Sequence, residues 1–243
     1  MMTKTAMAGV CVAALIGGRA MAEGDGFKTT LALGLNLTDG NSETMQANGS
    51  LVSEGEKAHL GSVRMGVEAN YGETTVDGTD QKNVDNGKAF ANARKTLSER
   101  TFLYVDSAVG YDDISLIDYR ATLGVGAGGY LAKSDALKLS LEAGVSYISE
   151  DVAGQTADYA ALRVAERVEY KFTETAKLWQ SAEYLPQTDD FGNYLLTAEV
   201  GAEAALNATM NLRILLQDKY DSEPGAGLEK NDLSLISGVS VKL

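Results

Sequence analysis

The 243-residue sequence holds one cysteine, one histidine, one tryptophan and two prolines. A lone Cys11 excludes a disulfide framework, and no Cys/His spacing suits a zinc site. With only Pro186 and Pro224, no Pro/Ser-rich linker and no break in composition, a single domain is the economical reading. Basic residues are scarce: 21 Lys and Arg stand against 34 Asp and Glu, a net charge of −13. That excludes nucleic acid as a partner, which calls for a basic footprint. No apolar run after residue 22 approaches the roughly 20 residues of a membrane helix.

What is present begins with MMTKTAMAGVCVAALIGGRAMA, which reads as a secretory signal peptide. Lys4 supplies the basic end, Ala6 to Gly18 a short apolar stretch, and Ala20-Met21-Ala22 a small-x-small cleavage site. Cleavage after Ala22 removes the cysteine, two basic residues and no acid, so residues 23–243 form the mature domain with a net charge of −15.

Beyond it, residues 31–44 (LALGLNLTDGNSET) alternate leucine with small or polar residues and then break into turn residues. The pattern recurs, predicting strands near 27–38, 43–53, 58–72, 87–97, 101–111, 119–131, 137–149, 159–171, 176–185, 191–206, 209–220 and 231–243. Short connections at 54–57, 98–100, 132–136, 173–175 and 207–208 alternate with longer polar ones at 73–86, 112–118, 150–158, 186–190 and 221–230. Only Asp39–Ser42 among the second set is brief. Twelve strands with this asymmetry predict an antiparallel up-and-down transmembrane β-barrel of a Gram-negative outer membrane, since strands cross hydrocarbon only when closed. The short turns are expected on the periplasmic side and the acidic loops outside.

Aromatics cluster at strand ends: Tyr71, Tyr111, Tyr119, Tyr147, Tyr159, Tyr184, Tyr194 and Tyr220 toward the loops, and Phe27, Phe102, Tyr104, Tyr130, Tyr170 and Phe172 toward the turns. Two interfacial girdles would give this distribution. One strand face is apolar, as in Leu212, Ile214 and Leu216, and is expected to meet lipid, including lipopolysaccharide. The opposite faces supply candidate lumen charges of both signs: Arg64, Glu68, Arg94, Asp106, Arg120, Glu142, Arg163, Arg167, Glu199, Glu203 and Arg213. Unpaired buried charges are costly, so a small lumen largely occluded by paired charges is expected, and a narrow pore for ions or small charged solutes is the alternative. Gly124, Gly126 and Gly128 would open space inside or receive an aromatic from the next strand. Glu166 shares parity with Leu162, Val164 and Val168, so a bulge flips the register there or it sits near an interface.

"TDGNSET", "GVGAGGYLAKSDALKLSLEAGVSYISE" and "DKYDSEPGAGLEKND" resemble, in order and spacing, the YdiY-like family of salt-induced outer membrane proteins, built on a domain of unknown function. The resemblance covers essentially the mature chain. It implies an outer-membrane barrel and a link to salt or osmotic response, with no catalytic residues or cofactor to carry over. The strand 231–243 keeps a Gly-x-x-apolar-x-apolar ending that resembles a signal for the barrel-assembly machinery, although Leu243 stands where an aromatic is usual.

Enzymatic readings fare poorly. An outer-membrane lipid hydrolase needs a histidine base near the outer leaflet, and His59 lies beside a turn expected on the periplasmic side. GVGAGG at 124–129 precedes no helix and so fits a strand better than a phosphate loop. Asp77, Asp80, Asp85, Asp112, Asp113, Asp221, Glu223, Glu229 and Asp232 would offer hard oxygen ligands to divalent cations, but no spacing matches a calcium loop. Solvated, mutually repelling loops are the simpler reading.

Overall fold

Residues 27–38, 43–57, 61–76 and 79–243 are described by a computed structural model. The chain forms twelve strands: β1 (Lys28–Thr38), β2 (Glu43–Lys57), β3 (Gly61–Val76), β4 (Thr79–Thr96), β5 (Thr101–Asp112), β6 (Ile117–Lys133), β7 (Leu137–Val152), β8 (Gln155–Lys171), β9 (Ala176–Pro186), β10 (Tyr194–Ala205), β11 (Met210–Asp221) and β12 (Asn231–Lys242). Each pairs antiparallel with its sequence neighbours, and β1 meets β12 to close the barrel. Closure leaves no sheet edge, and each strand meets the 9–11 residues that a tilted crossing requires.

Directly opposed residues of neighbouring strands share a face, so the ladders assign each side chain to the inside or the outside. Leu31, Leu33, Leu35 and Leu37 lie opposite Leu51, Gly49, Ala47 and Met45. They belong to the outer face, where Leu35 is 66% and Leu235 70% exposed. Val105, Val125, Val145, Leu162, Val164, Val200, Leu212, Ile214 and Leu216 continue that exposed apolar surface around the barrel. An apolar surface of this extent is stable only against lipid. The inner face carries the buried polar residues, among them Ser140, Glu142, Ser146, Glu150, Arg163, Asn211 and Ser240.

Several boundaries differ from those read in the sequence. The expected loop 73–86 is mostly strand, because β3 and β4 stay paired out to Val76 and Thr79. The expected loop 150–158 shrinks to Ala153-Gly154, both at positive φ, the signature of a tight hairpin turn. These hairpins carry polar residues because they extend past the apolar band, where a strand needs no greasy face. The turn expected at 54–57 is instead strand through Lys57. The signal peptide, Asp39–Ser42, His59 and Asp77 lie outside the described residues.

The aromatic girdles also need correcting. On the loop side Tyr184 and Tyr194 meet edge to face and Tyr194 stacks on Tyr220, with ring centroids 5.2 and 5.5 Å apart. On the turn side Tyr170 and Phe172 form an outward edge-to-face pair. Phe102, Tyr104, Tyr130 and Tyr159, however, sit opposite Gly128, Gly126, Ser140 and Ile148, all on the inner face. Parity, which a count of aromatics at strand ends ignores, decides their side. Glu166 is resolved as well: β8 pairs with β7 and β9 without a register shift at that point, so Glu166 faces outward and accepts a hydrogen bond from Gln180 of β9.

The seam is the shortest ladder. Beta1 and β12 are paired only from Thr30↔Lys242 to Leu33↔Val239. Gly34 and Gly238 stand at its end, where an added Cβ would lie 2.1 Å from the Ser237 carbonyl oxygen and 2.5 Å from that of Leu33.

Candidate functional site

The inner face defines the site. Every candidate charge named above lies there by register: Arg64 opposite Asn92, Glu68 opposite Lys88, Arg94 opposite Tyr104, Asp106 opposite Gly124, and Arg120 opposite Glu150. Glu142, Arg163, Arg167, Glu199, Glu203 and Arg213 follow on β7, β8, β10 and β11.

One construction recurs four times inside. A glycine leaves the wall bare, an aromatic ring from the neighbouring strand lies over it, and a guanidinium covers the ring. Phe102 lies over Gly128, Tyr104 over Gly126 and Gly144, Phe90 over Gly66, and Trp179 over Gly201. In each case a Cβ on the glycine would come within 3.0 Å of the aromatic side chain, at Gly144 of the Tyr104 hydroxyl, so only glycine admits it. Arg94, Arg163, Arg64 and Arg213 then sit 5.0, 4.7, 4.7 and 5.1 Å above the respective ring centroids. A cation over a ring face gains roughly 0.5–2 kcal/mol, more when water is excluded. Gly124 receives the Asp106 carboxylate instead of a ring.

The four arginines divide into two kinds. Arg94 and Arg163 are both anchored on Glu142, at 2.6 and 2.8 Å. Arg163 reaches Glu183 at 2.7 Å and Asp106 at 3.7 Å as well. These contacts link β4, β5, β7, β8 and β9 into a packed wall in which Phe102, Tyr104, Ser146 and Ala165 are also buried. Arg64 and Arg213, in contrast, have no carboxylate within 4 Å among the described residues, and Arg64 stays exposed although it points inward. Inward Lys88 and Ser62 are exposed too, so this side of the lumen holds solvent. Arg167 bonds Glu169 of its own strand at 2.8 Å. Glu199 accepts a hydrogen bond from Gln217, and Glu203 lies 3.8 Å from Lys177.

The loop-side mouth is crossed from wall to wall. Arg120 of β6 holds Glu150 beside it and reaches Asp221 of β11 at 2.9 Å. Lys219 of β11 approaches Asp112 of β5, six strands away, at 3.7 Å. Ser115, between β5 and β6, donates to Asp232 of β12 at 3.2 Å. Opposite walls of a twelve-stranded barrel meet through side chains only if the section is flattened or the side chains bridge it. Ile148, Ala161 and Leu185 form an apolar cluster with Tyr159 and Leu195 at the loop-side end, where Ala161 bridges to Gln187.

Several of the described acidic loop residues form ion pairs with lysine and arginine. Among the described residues no three metal-ligating side chains come together. Asp85 and Asp113 hold Lys82 at 2.6 and 2.8 Å, Asp112 faces Lys219, and Asp221 faces Arg120. The Asp113 and Asp85 carboxylates keep the Lys82 ammonium protonated above its ordinary range. Sequence reasoning missed these loop-side ion pairs. It also missed Phe90 and Trp179 as ring platforms, for which the signal was available: each is an inward aromatic facing an inward glycine.

The family model described as "Protein of unknown function, DUF481" matches residues 31–242. No curated protein matches the chain. Among solved structures, the NanC porin superposes with a TM-score of 0.53 at 10% identity, over 89% of this chain and 100% of the porin. An outer membrane channel from Pseudomonas putida F1 gives 0.53 at 12% identity, over 91% and 97%. The translocator domain of the autotransporter NalP from Neisseria meningitidis gives 0.46 at 14% identity, over 98% and 97%. The likeness to the porin and to the Pseudomonas channel shows the fold, a closed barrel of the outer-membrane kind.

Proposed function

We propose that this chain, which belongs to the DUF481 family of unknown function, is a non-enzymatic outer-membrane barrel with a narrowed lumen that passes ions and small charged solutes. The observation that carries the reading is the unequal lumen. One wall is sealed by the Glu142 network, while the Arg64 side stays exposed to solvent inside the barrel. Two of the solved structures it resembles, each with a TM-score of 0.53, are a porin and an outer membrane channel, which agrees with it. A fully occluded lumen is the second reading, favoured by the bridges Arg120–Asp221 and Lys219–Asp112 across the mouth.

Short turns would then face the periplasm, with export through cleavage after Ala22, assembly through strand 231–243, and lipopolysaccharide around the loop-side tyrosines. A link to salt or osmotic response rests on the family resemblance alone. Liposome swelling tests the channel. Vesicles carrying the refolded mature protein should swell in small solutes of about amino-acid size and not in trisaccharides. No swelling with the smallest solute, from protein shown to be folded by its heat-dependent gel shift, would favour the occluded barrel.

A further inference from the structure

We infer that the ring-stacked guanidiniums of Arg64 and Arg213, with Arg167 between them around the wall, form a binding site for small solutes carrying carboxylate or phosphate groups near the turn-side end of the lumen.

Level along the barrel axis comes first. Strands tilt by about 40°, so each step along a hydrogen-bonded row shifts level by roughly 3 Å, a little more than one residue of axial rise. From Arg64 the row runs through Asn92, Asp106, Gly124 and Ser146 to Ala161 on β8. Five such steps are offset by about six residues toward the turn side, which reaches Arg167. From Arg167 the row runs through Ser181 and Glu199 to Gln217, and the same offset over three steps, about four residues, reaches Arg213. The three therefore occupy one belt, and Arg64 lies close enough to Arg167 and Arg213 to feel their charge.

Like charges brought together inside a barrel are costly unless something neutralises them. Glu54 and Glu203, opposite Arg64 and Arg213 in register, stay beyond ion-pair distance of them, and so do Glu68 and Glu199; only Arg167 has a partner, Glu169. On the sealed wall the same glycine–ring–arginine construction is completed by Glu142. On the open wall the Phe90 and Trp179 platforms orient Arg64 and Arg213, and the carboxylate is missing. A ring beneath a guanidinium fixes its plane and leaves its N–H edge for a planar oxyanion, which takes two parallel hydrogen bonds. The solute would stand where Glu142 stands on the other side. Rings of Arg or Lys are the usual filters of anion pores.

The site rests on the channel reading, and Trp179 separates the two experimentally. It is the only tryptophan and lies directly beneath Arg213. Inorganic phosphate and succinate are titrated into the refolded mature protein in detergent, at ionic strength held constant with chloride, while Trp179 emission is followed. A saturable change is expected, weakened at least tenfold in Arg64→Gln and in Arg213→Gln and unaltered in Lys219→Gln. Arg213→Lys keeps the charge, loses the planar fork and should retain only part of the response. Emission insensitive to both anions, or an unchanged response in the Arg64→Gln/Arg213→Gln double variant, would overturn the site. Saturable binding by a barrel that passes no solute would overturn the channel and leave the site standing. Passage without anion preference would do the reverse.

Discussion

Replacing Glu142 with alanine is expected to destabilise the folded barrel by about 3–5 kcal/mol, the cost of breaking a buried ion pair from one side. Among the described residues Glu142 is the sole carboxylate on Arg94 and one of three on Arg163, and its side chain is 6% exposed. Its loss leaves Arg94 over Phe102 with no counter-ion and takes from Arg163 its 2.8 Å partner. The measurement is urea-induced unfolding in detergent or thin bilayers, followed by the heat-dependent gel shift. A second variant keeps the argument specific. Pairing Glu142→Ala with Arg94→Met should cost less than the two changes summed, because the unpaired charge is removed along with its partner. Equal and additive losses would show that Glu142 acts through packing.

Gly126→Val is expected to destabilise the barrel by about 3 kcal/mol or more, the upper range for overpacking a filled site. A Cβ at residue 126 would lie 2.3 Å from the Ala143 carbonyl oxygen, which is ladder backbone and cannot move aside. It would also lie 2.5 Å from the Tyr104 hydroxyl, so the ring must leave the wall and Arg163 loses its platform. Gly129, three residues on, is the control. It lies on the outer face, and its nearest atom to an added Cβ is the Arg100 carbonyl oxygen at 3.6 Å, so Gly129→Ala should fold as the parent does. Equal refolding yields for Gly126→Val and Gly129→Ala would contradict the layered construction.

Period-two alternation is a local property, and it made the number of strands, their antiparallel order and the outward leucines readable from sequence. The eleven inward charges follow from the same parity, since a strand pinned by leucines on one face has no freedom on the other. The hairpin 73–86 was misread because polarity marks a loop only inside the apolar band. Beyond it, residues 73–76 and 79–82 pair as well in water as an apolar strand does in lipid. Partners across the lumen were not legible. Arg120 and Asp221 lie 101 residues apart and meet only because strand tilt brings β6 and β11 to one level at the mouth. The ring platforms were half legible: the inward glycines at 124–128 announced a bare wall, but register alone says which ring covers which glycine.

The lumen's character is most directly measured as single-channel conductance of the refolded mature protein in a planar bilayer, at low and high salt. Discrete steps much smaller than those of a wide porin are expected. They should widen in Arg120→Ala, which removes the tie to Asp221 across the mouth, and lose anion preference in Arg64→Gln. A folded barrel that gives no steps in either the parent or Arg120→Ala would contradict a water-filled path along the Arg64 wall and make the lumen a sealed core.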